Sequence, residues 1–264
     1  MPELHDRLQT QLRLKEWSNK VNLLWQTDAQ HITSLLDQGY DCVIINGPWG
    51  SGKSMNLIPQ INQEVARRGW YYANWDARRR ETSPDKRQDN LKDILGHFPT
   101  LNSDQTGVLI LDETGDFENE ASFREFLEGF EKSGYRKSVL IPAGGEELRG
   151  DDVIDKRSEM INFIQKSFAD QGKSTITYKL EKRTLPEELA REYFSILETP
   201  KDVIDFIIVN FPSYPYVIDM LKHLKSIDQV KEWWNTSHSY FRVYQRGLSK
   251  NEVDDIDRKM GKKD

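Results

Sequence analysis

The segment Gly47 to Ser54, GPWGSGKS, meets every fixed position of G-x-x-x-x-G-K-[ST], and it constrains the fold more than any other stretch of the chain. The spacing has a physical reason. Glycines let the backbone curl until several N–H groups point into one concavity, and an anion seated there also meets the positive end of the following helix. Such a loop needs a buried strand before it and a helix behind it. Cys42-Val43-Ile44-Ile45 is a short, continuous apolar run, the pattern of a parallel strand covered on both faces. A helix is expected from about Gly52 to Arg68, with Ile58, Ile61 and Val65 on one face and Gly69 as its stop. Pro59 should kink or break it, because an interior proline costs about 3 kcal/mol.

The loop also names its ligands. Lys53 is spaced to reach the β- and γ-phosphates, and the Ser54 hydroxyl to ligate Mg²⁺. ATP and Mg²⁺ are therefore the expected cofactors, with Gly47, Trp49, Gly50, Ser51, Gly52, Lys53, Ser54 and Met55 as nucleotide-binding residues. Packing of Trp49 against a neighbouring loop is the preferred reading of its bulk, ahead of a lid over the nucleotide. VLILDE, Val108 to Glu113, is an apolar strand ending in two carboxylates. If that strand pairs next to Cys42–Ile45, Asp112 reaches the metal site and holds the ion through water. Glu113 then faces the γ-phosphate side, where it can orient or deprotonate an attacking water. Lys53 and Glu113 are the catalytic candidates, and Ser54 and Asp112 the metal ligands.

Around these motifs the pattern alternates. Residues 1–39 read as two helices, carried by Leu4, Leu8 and Leu12 and then by Leu24, Ile32, Leu35 and Leu36, with Gly39 as the end. Strands are expected at Trp70–Trp75, Val108–Leu111, Val139–Ile141 and Ile176–Leu180. Helices are expected over 85–97 and 120–132, the second with Phe123, Phe126, Leu127 and Phe130 inward. Beyond Leu180 only helices are legible, near 186–197, 200–211, 215–225 and 227–246, and the charged tail 249–264 should fray. The expected fold is α/β, a parallel-sheet P-loop NTPase core with a helical N-terminal extension and a C-terminal helical lid domain. The expected boundaries are 1–39, 40–182 and 183–264.

With those residues in view, the chain resembles the AAA+-like and STAND-type P-loop ATPases, particularly the archaeal-type ATPases, over roughly residues 20–220. GPWGSGKS and VLILDE carry the resemblance. SVLIPAGG matches a fourth strand, YKLEKRTLPEELAREYF the stretch leading into a helical lid, and FPSYPYVIDML the lid's Gly-x-Pro segment. In the last of these Ser213 replaces the usual glycine and Pro215 matches the proline, which implies a nucleotide contact at Pro215. The resemblance implies strand order 5-1-4-3-2 and an ATP-driven switch, with a DNA-associated ATPase or assembly subunit and a non-hydrolysing nucleotide-binding scaffold as the alternatives. The chain departs from the family pattern in three places. Pro142-Ala143 stand where a polar γ-phosphate sensor is usual. No arginine aligns with a trans-acting finger, Arg149, Arg157 and Arg183 being the candidates. The lid also lacks an obvious arginine after Pro215. These departures imply slow or partner-stimulated hydrolysis.

Composition limits the partners. A net charge of −6 excludes a globally basic DNA-binding surface, but not a local patch. Arg67-Arg68 and Arg78-Arg79-Arg80 flank WYYANW, and basic groups among aromatics can bind DNA. The preferred reading is a strand with alternate aromatics buried beside a solvated charged loop, with DNA kept as an alternative partner. A protein partner and a nucleotide-dependent oligomer are the other expectations. The single cysteine, Cys42, forms no internal disulfide and reads as a small buried hydrophobe. No apolar run is long enough to span a membrane and no apolar signal core is present, so a cytoplasmic protein is expected.

Overall fold

The apolar runs of the sequence become the middle strands of a five-stranded parallel sheet. In the computed structural model, residues 2–48, 50–76, 100–112, 120–142, 146–149, 152–244 and 248–261 are described. Helices α1 (Pro2–Leu23) and α2 (Gln26–Asp37) precede β1 (Cys42–Asn46). The phosphate-loop segment then leads through a π-helical turn, Lys53–Leu57, into α3 (Ile58–Arg67). Next come β2 (Tyr71–Asp76), β3 (Gly107–Asp112), α4 (Glu120–Lys132) and β4 (Lys137–Ile141). A hairpin of β5 (Glu146–Arg149) and β6 (Asp152–Asp155), helix α5 (Lys156–Ala169) and strand β7 (Thr175–Lys179) complete the α/β part. The rest is helical: α6 (Glu187–Ile196), α7 (Lys201–Asn210), α8 (Pro215–Leu221), α9 (Ile227–Tyr244) and α10 (Lys250–Lys259).

The sheet order is β2-β3-β4-β1-β7, every neighbour parallel. In order of the five core strands along the chain this is 5-1-4-3-2, as the resemblance implied. The side-chain period of two divides the core. Val43, Ile45, Val108, Ile110, Val139 and Ile141 face the layer of α2, α3 and the C-terminal helices. Cys42, Ile44, Leu109, Leu111 and Leu140 face Phe123, Leu127, Ile161, Ile164 and Phe168 of α4 and α5. Burial pushes the Cys42 thiol up to about 12, so it stays protonated and inert. The N-terminal and C-terminal helices share the first of these cores. Trp17 of α1 donates to the Leu189 carbonyl at 2.7 Å and packs on Tyr193 with ring centroids 4.4 Å apart, while Lys20 pairs with Glu192 at 2.6 Å.

The structure departs from some expectations. The strand of Asp112 does not pair with β1; β4 lies between, with Asp112 opposite Ile141 and Ile44 opposite Leu140. The helix expected from Gly52 is interrupted beside Pro59: the π-helical turn Lys53–Leu57 ends there and the regular α-helix starts at Ile58, with Pro59 in its first turn. The charged tail is helical over Lys250–Lys259 where fraying was expected. Ser249 and Glu252 form a reciprocal capping box that starts α10, and Val253 and Ile256 are buried. The hairpin β5–β6 and helix α5 are elements that the sequence reading did not include. Trp49, Arg78, Arg79, Arg80, Glu113, Ala143 and the expected helix over 85–97 lie outside the described residues, as do the side chains of Trp75, Phe126 and Phe130. Among the described residues no helix is long and apolar enough to cross a membrane.

Candidate functional site

The site is built where β1 leaves the sheet. Its four apolar residues are fully buried, so the chain emerges at the carboxyl edge with its direction fixed. The Leu180 N–H donates to the Asn46 carbonyl at 2.8 Å and holds the exit of β1 against the exit of β7. Gly47 then passes so close that an added Cβ would lie 2.9 Å from the Leu180 Cβ. Gly50 and Gly52 take left-handed φ values of 75° and 80°. Only glycine adopts those angles without strain, and they curl the loop. The Gly52 carbonyl accepts from the N–H groups of both Asn56 and Leu57, each at 2.9 Å, and so starts the helix directly behind the loop.

Lys53 folds over this loop. Its ammonium donates to the carbonyls of Gly47 and Pro48, both at 2.8 Å, and lies 3.5 Å from the Ser51 hydroxyl. Ser51 is buried, Ser54 half-buried, and Met55 fully displayed at 79% exposure. Asp112 ends β3 at the same carboxyl edge of the sheet and is 3% exposed. With one strand between, its backbone stands about 10 Å from that of β1. That span is one a phosphate-bound cation with its waters can bridge. The residues therefore fit a nucleotide and a divalent cation. The glycine cradle has room for no side chain, a flexible cation sits over it, and a buried carboxylate faces the same edge. Between β1 and β3, the described residues at the end of β4 are Ile141 and Pro142, both buried, so position 142 brings no polar side chain.

Comparison with known proteins adds little at the sequence level: no protein-family model and no curated protein matches. Among solved structures, the chain is similar to AMPPCP-bound DnaA from Aquifex aeolicus, with TM-score 0.40 and 14% identity over 81% of this chain and 66% of that one. Domain III of the Thermotoga maritima replication initiation protein DnaA gives TM-score 0.42 and 13% identity over 91% and 92%. Thermotoga maritima RuvB gives TM-score 0.42 and 14% identity over 92% and 68%. The chain spans just under two thirds of the first of these proteins. Values this low carry no argument by themselves. The P-loop NTPase fold rests on strand order, register and loop geometry.

Other candidate residues divide. Pro215 opens α8 in a segment tied to the site only indirectly, since the Leu185 N–H donates to the Ser213 carbonyl at 2.7 Å. Beside it the Tyr214 hydroxyl donates to Glu252 at 2.5 Å, and Lys182 lies 3.7 Å over the Tyr214 ring. Burial, then the bonded Glu252, pushes the Tyr214 phenol up to about 12. Arg183 is engaged within its own chain. It pairs with Asp28 at 2.6 Å and donates to the Leu24 carbonyl, a poor arrangement for a finger offered to another molecule. Arg67 pairs with Glu64 at 2.5 Å, and Arg68 pairs with Asp37 and lies 5.5 Å over the Trp70 ring. Sequence reasoning passed over Trp25. It is fully buried and donates its indole N–H to the Ser51 carbonyl at 3.1 Å. It sits in a two-residue turn between helices, where no periodicity flags it.

Proposed function

We propose that this chain is an AAA+/STAND-like ATPase that binds ATP with Mg²⁺ and hydrolyses it slowly, or on stimulation by a partner, as a nucleotide-dependent switch. The observation that carries this reading is the curled loop of Gly47, Gly50 and Gly52, set between a buried strand and a helix start and topped by the Lys53 ammonium. In that reading the loop N–H groups receive the phosphates, and Lys53 leaves its two carbonyls for the β- and γ-oxygens. Ser54 and Asp112 hold the cation, which neutralises phosphate charge when bound. Glu113, next in sequence to buried Asp112, orients the attacking water. Slow turnover is supported by the apolar end of β4 and by the engagement of Arg183 with Asp28. The switch would act through the segment around Pro215 and so move the C-terminal helices against the core.

Calorimetry with ATP and Mg²⁺ tests the binding. The wild-type chain should bind and Lys53→Ala should lose tight binding; equal affinities would overturn the reading. Hydrogen exchange over residues 205–225 tests the switch. Protection should rise with a non-hydrolysable ATP analogue and fall with ADP, and identical exchange in all states would leave those helices passive.

A further inference from the structure

Behind the phosphate loop lies an elbow that the nucleotide motif does not include. Helices α1 and α2 are separated by two residues, Leu24 and Trp25, and the elbow they form grips the loop from outside. Trp25 donates to the Ser51 carbonyl at 3.1 Å. Its ring lies against Gly52, where an added Cβ would be 2.6 Å from the indole Cζ2. One turn earlier, the Asn22 side-chain carbonyl accepts from the Asn56 amide at 3.0 Å. The Arg183 guanidinium lies 5.9 Å from the centroid of the indole ring. Arg183 is itself held by Asp28 at 2.6 Å, and Asp28 also accepts from the Tyr178 hydroxyl at 2.7 Å.

We infer that Trp25 is a positioning residue for the nucleotide phosphates, acting through the Ser51–Gly52 peptide. The inference rests on the nucleotide reading above. The physical step is the planarity of that peptide. In a trans peptide the C=O and the following N–H point in opposite directions. A bond that draws the Ser51 carbonyl toward Trp25 therefore aims the Gly52 N–H away from the indole, toward the other side of the loop. That N–H belongs to the cradle and precedes Lys53. Without the indole N–H, the Ser51 carbonyl is buried without its donor and the peptide is free to turn toward another partner. An N–H turned aside no longer meets a phosphate. The effect falls on the phosphates that every nucleotide shares, so ATP and ADP should weaken by the same factor.

Trp25→Phe keeps an aromatic side chain and removes the donor. Calorimetry should show ATP and ADP dissociation constants raised about tenfold each, with the turnover number at saturating ATP changed less than about twofold. Trp234→Phe is the control. Trp234 is equally buried and donates to Asp257 at 2.8 Å, so its loss destabilises the fold by the same kind of amount. Its ATP affinity should stay at the wild-type value. Wild-type affinity in Trp25→Phe, or an equal loss in Trp234→Phe, overturns the inference and leaves nucleotide binding standing. If the wild-type chain binds no ATP, the nucleotide reading falls and takes this inference with it. Should Trp25→Phe not fold, benzothienylalanine in place of Trp25 keeps both fused rings and removes only the N–H donor to Ser51. It should raise both dissociation constants about tenfold, and unchanged constants overturn the inference.

Discussion

Replacing Gly52 by alanine adds one methyl group at the tightest point of the loop. The backbone there has φ 80°, and the new Cβ would stand 2.6 Å from the Trp25 ring and 2.8 Å from the Asn56 side-chain oxygen. Two costs combine. A left-handed conformation costs a non-glycine residue about 1–2 kcal/mol. Forcing a methyl into a filled space costs about 1–3 kcal/mol. Together these give about 2–5 kcal/mol. If the loop keeps its shape, the whole is lost from fold stability, and at about 2–4 °C per kcal/mol the melting temperature falls by roughly 4–20 °C. If the loop yields instead, ATP affinity falls, by up to about four thousandfold at about 1.4 kcal/mol per tenfold. Gly69→Ala separates the two costs, because Gly69 has φ 71° and nothing within 4 Å of an added Cβ. It should show the conformational cost alone and leave ATP binding intact. Thermal unfolding and calorimetry on both variants read the difference. Gly52→Ala no worse than Gly69→Ala in both measurements would refute the claim that the elbow clamps the loop.

Glu113→Gln should keep ATP binding and slow hydrolysis by about a hundredfold or more, read by a steady-state phosphate-release assay; an unchanged turnover number removes Glu113 from the chemistry. Glu252 gives a pH prediction. Burial raises its carboxyl, but the Tyr214 hydroxyl, the Ser249 backbone and side chain and the Lys182 ammonium outweigh that and hold it below the ordinary value of 4.5. A depressed carboxylate stabilises the fold above its unfolded-state pKa, and that contribution is lost as pH falls through the folded value. Thermal unfolding of the wild type should therefore lose stability below about pH 4.5, and Glu252→Gln should be less stable at neutral pH and flatter in that acid range. Parallel wild-type and variant curves would show that the Tyr214–Glu252–Lys182 cluster is only surface decoration.

What could be read in advance follows from what each residue contacts. β1, β3 and β4 were legible because burial on both faces forces a continuous apolar run, and a run followed by glycines or carboxylates has few other uses. The pairing partners of those strands were not legible from the residues, since every apolar strand suits every other, and the place of β4 between β1 and β3 is a property of the whole sheet. Helix α10 was misread from its charge. SKNE, Ser249 to Glu252, was a capping signal, and Val253 and Ile256 mark the buried side of a helix whose other faces are solvated. Helix α5 also had its signal, with Ile161, Ile164 and Phe168 at helical spacing. The grip of Trp25 on Ser51 had none. It joins residues 26 positions apart through one indole N–H and one backbone carbonyl, and only the folded chain brings them together.

That grip changes how the phosphate motif should be understood here. Eight residues match a pattern, but the pattern does not hold its own shape. Gly47 is fixed by Leu180 at the exit of β7, and Gly52 and Ser51 by Trp25. Those two supports are themselves joined, because Asp28 of the elbow binds both Tyr178 of β7 and Arg183 just beyond it. Bracing at Gly47, Ser51 and Gly52 would lower what a bound nucleotide spends on fixing the backbone at those residues. The same bracing ties the loop to the rest of the chain. Arg183 stands at the start of the connection to α6, and Leu185, two residues on, carries the bond to Ser213 beside Pro215. The residues that steady the cradle are therefore the first links toward the helices that a nucleotide-dependent switch would have to move. Weakening Asp28 or Arg183 should then reduce nucleotide affinity and loosen the C-terminal helices together, whereas a change at exposed Met55 should leave those helices untouched.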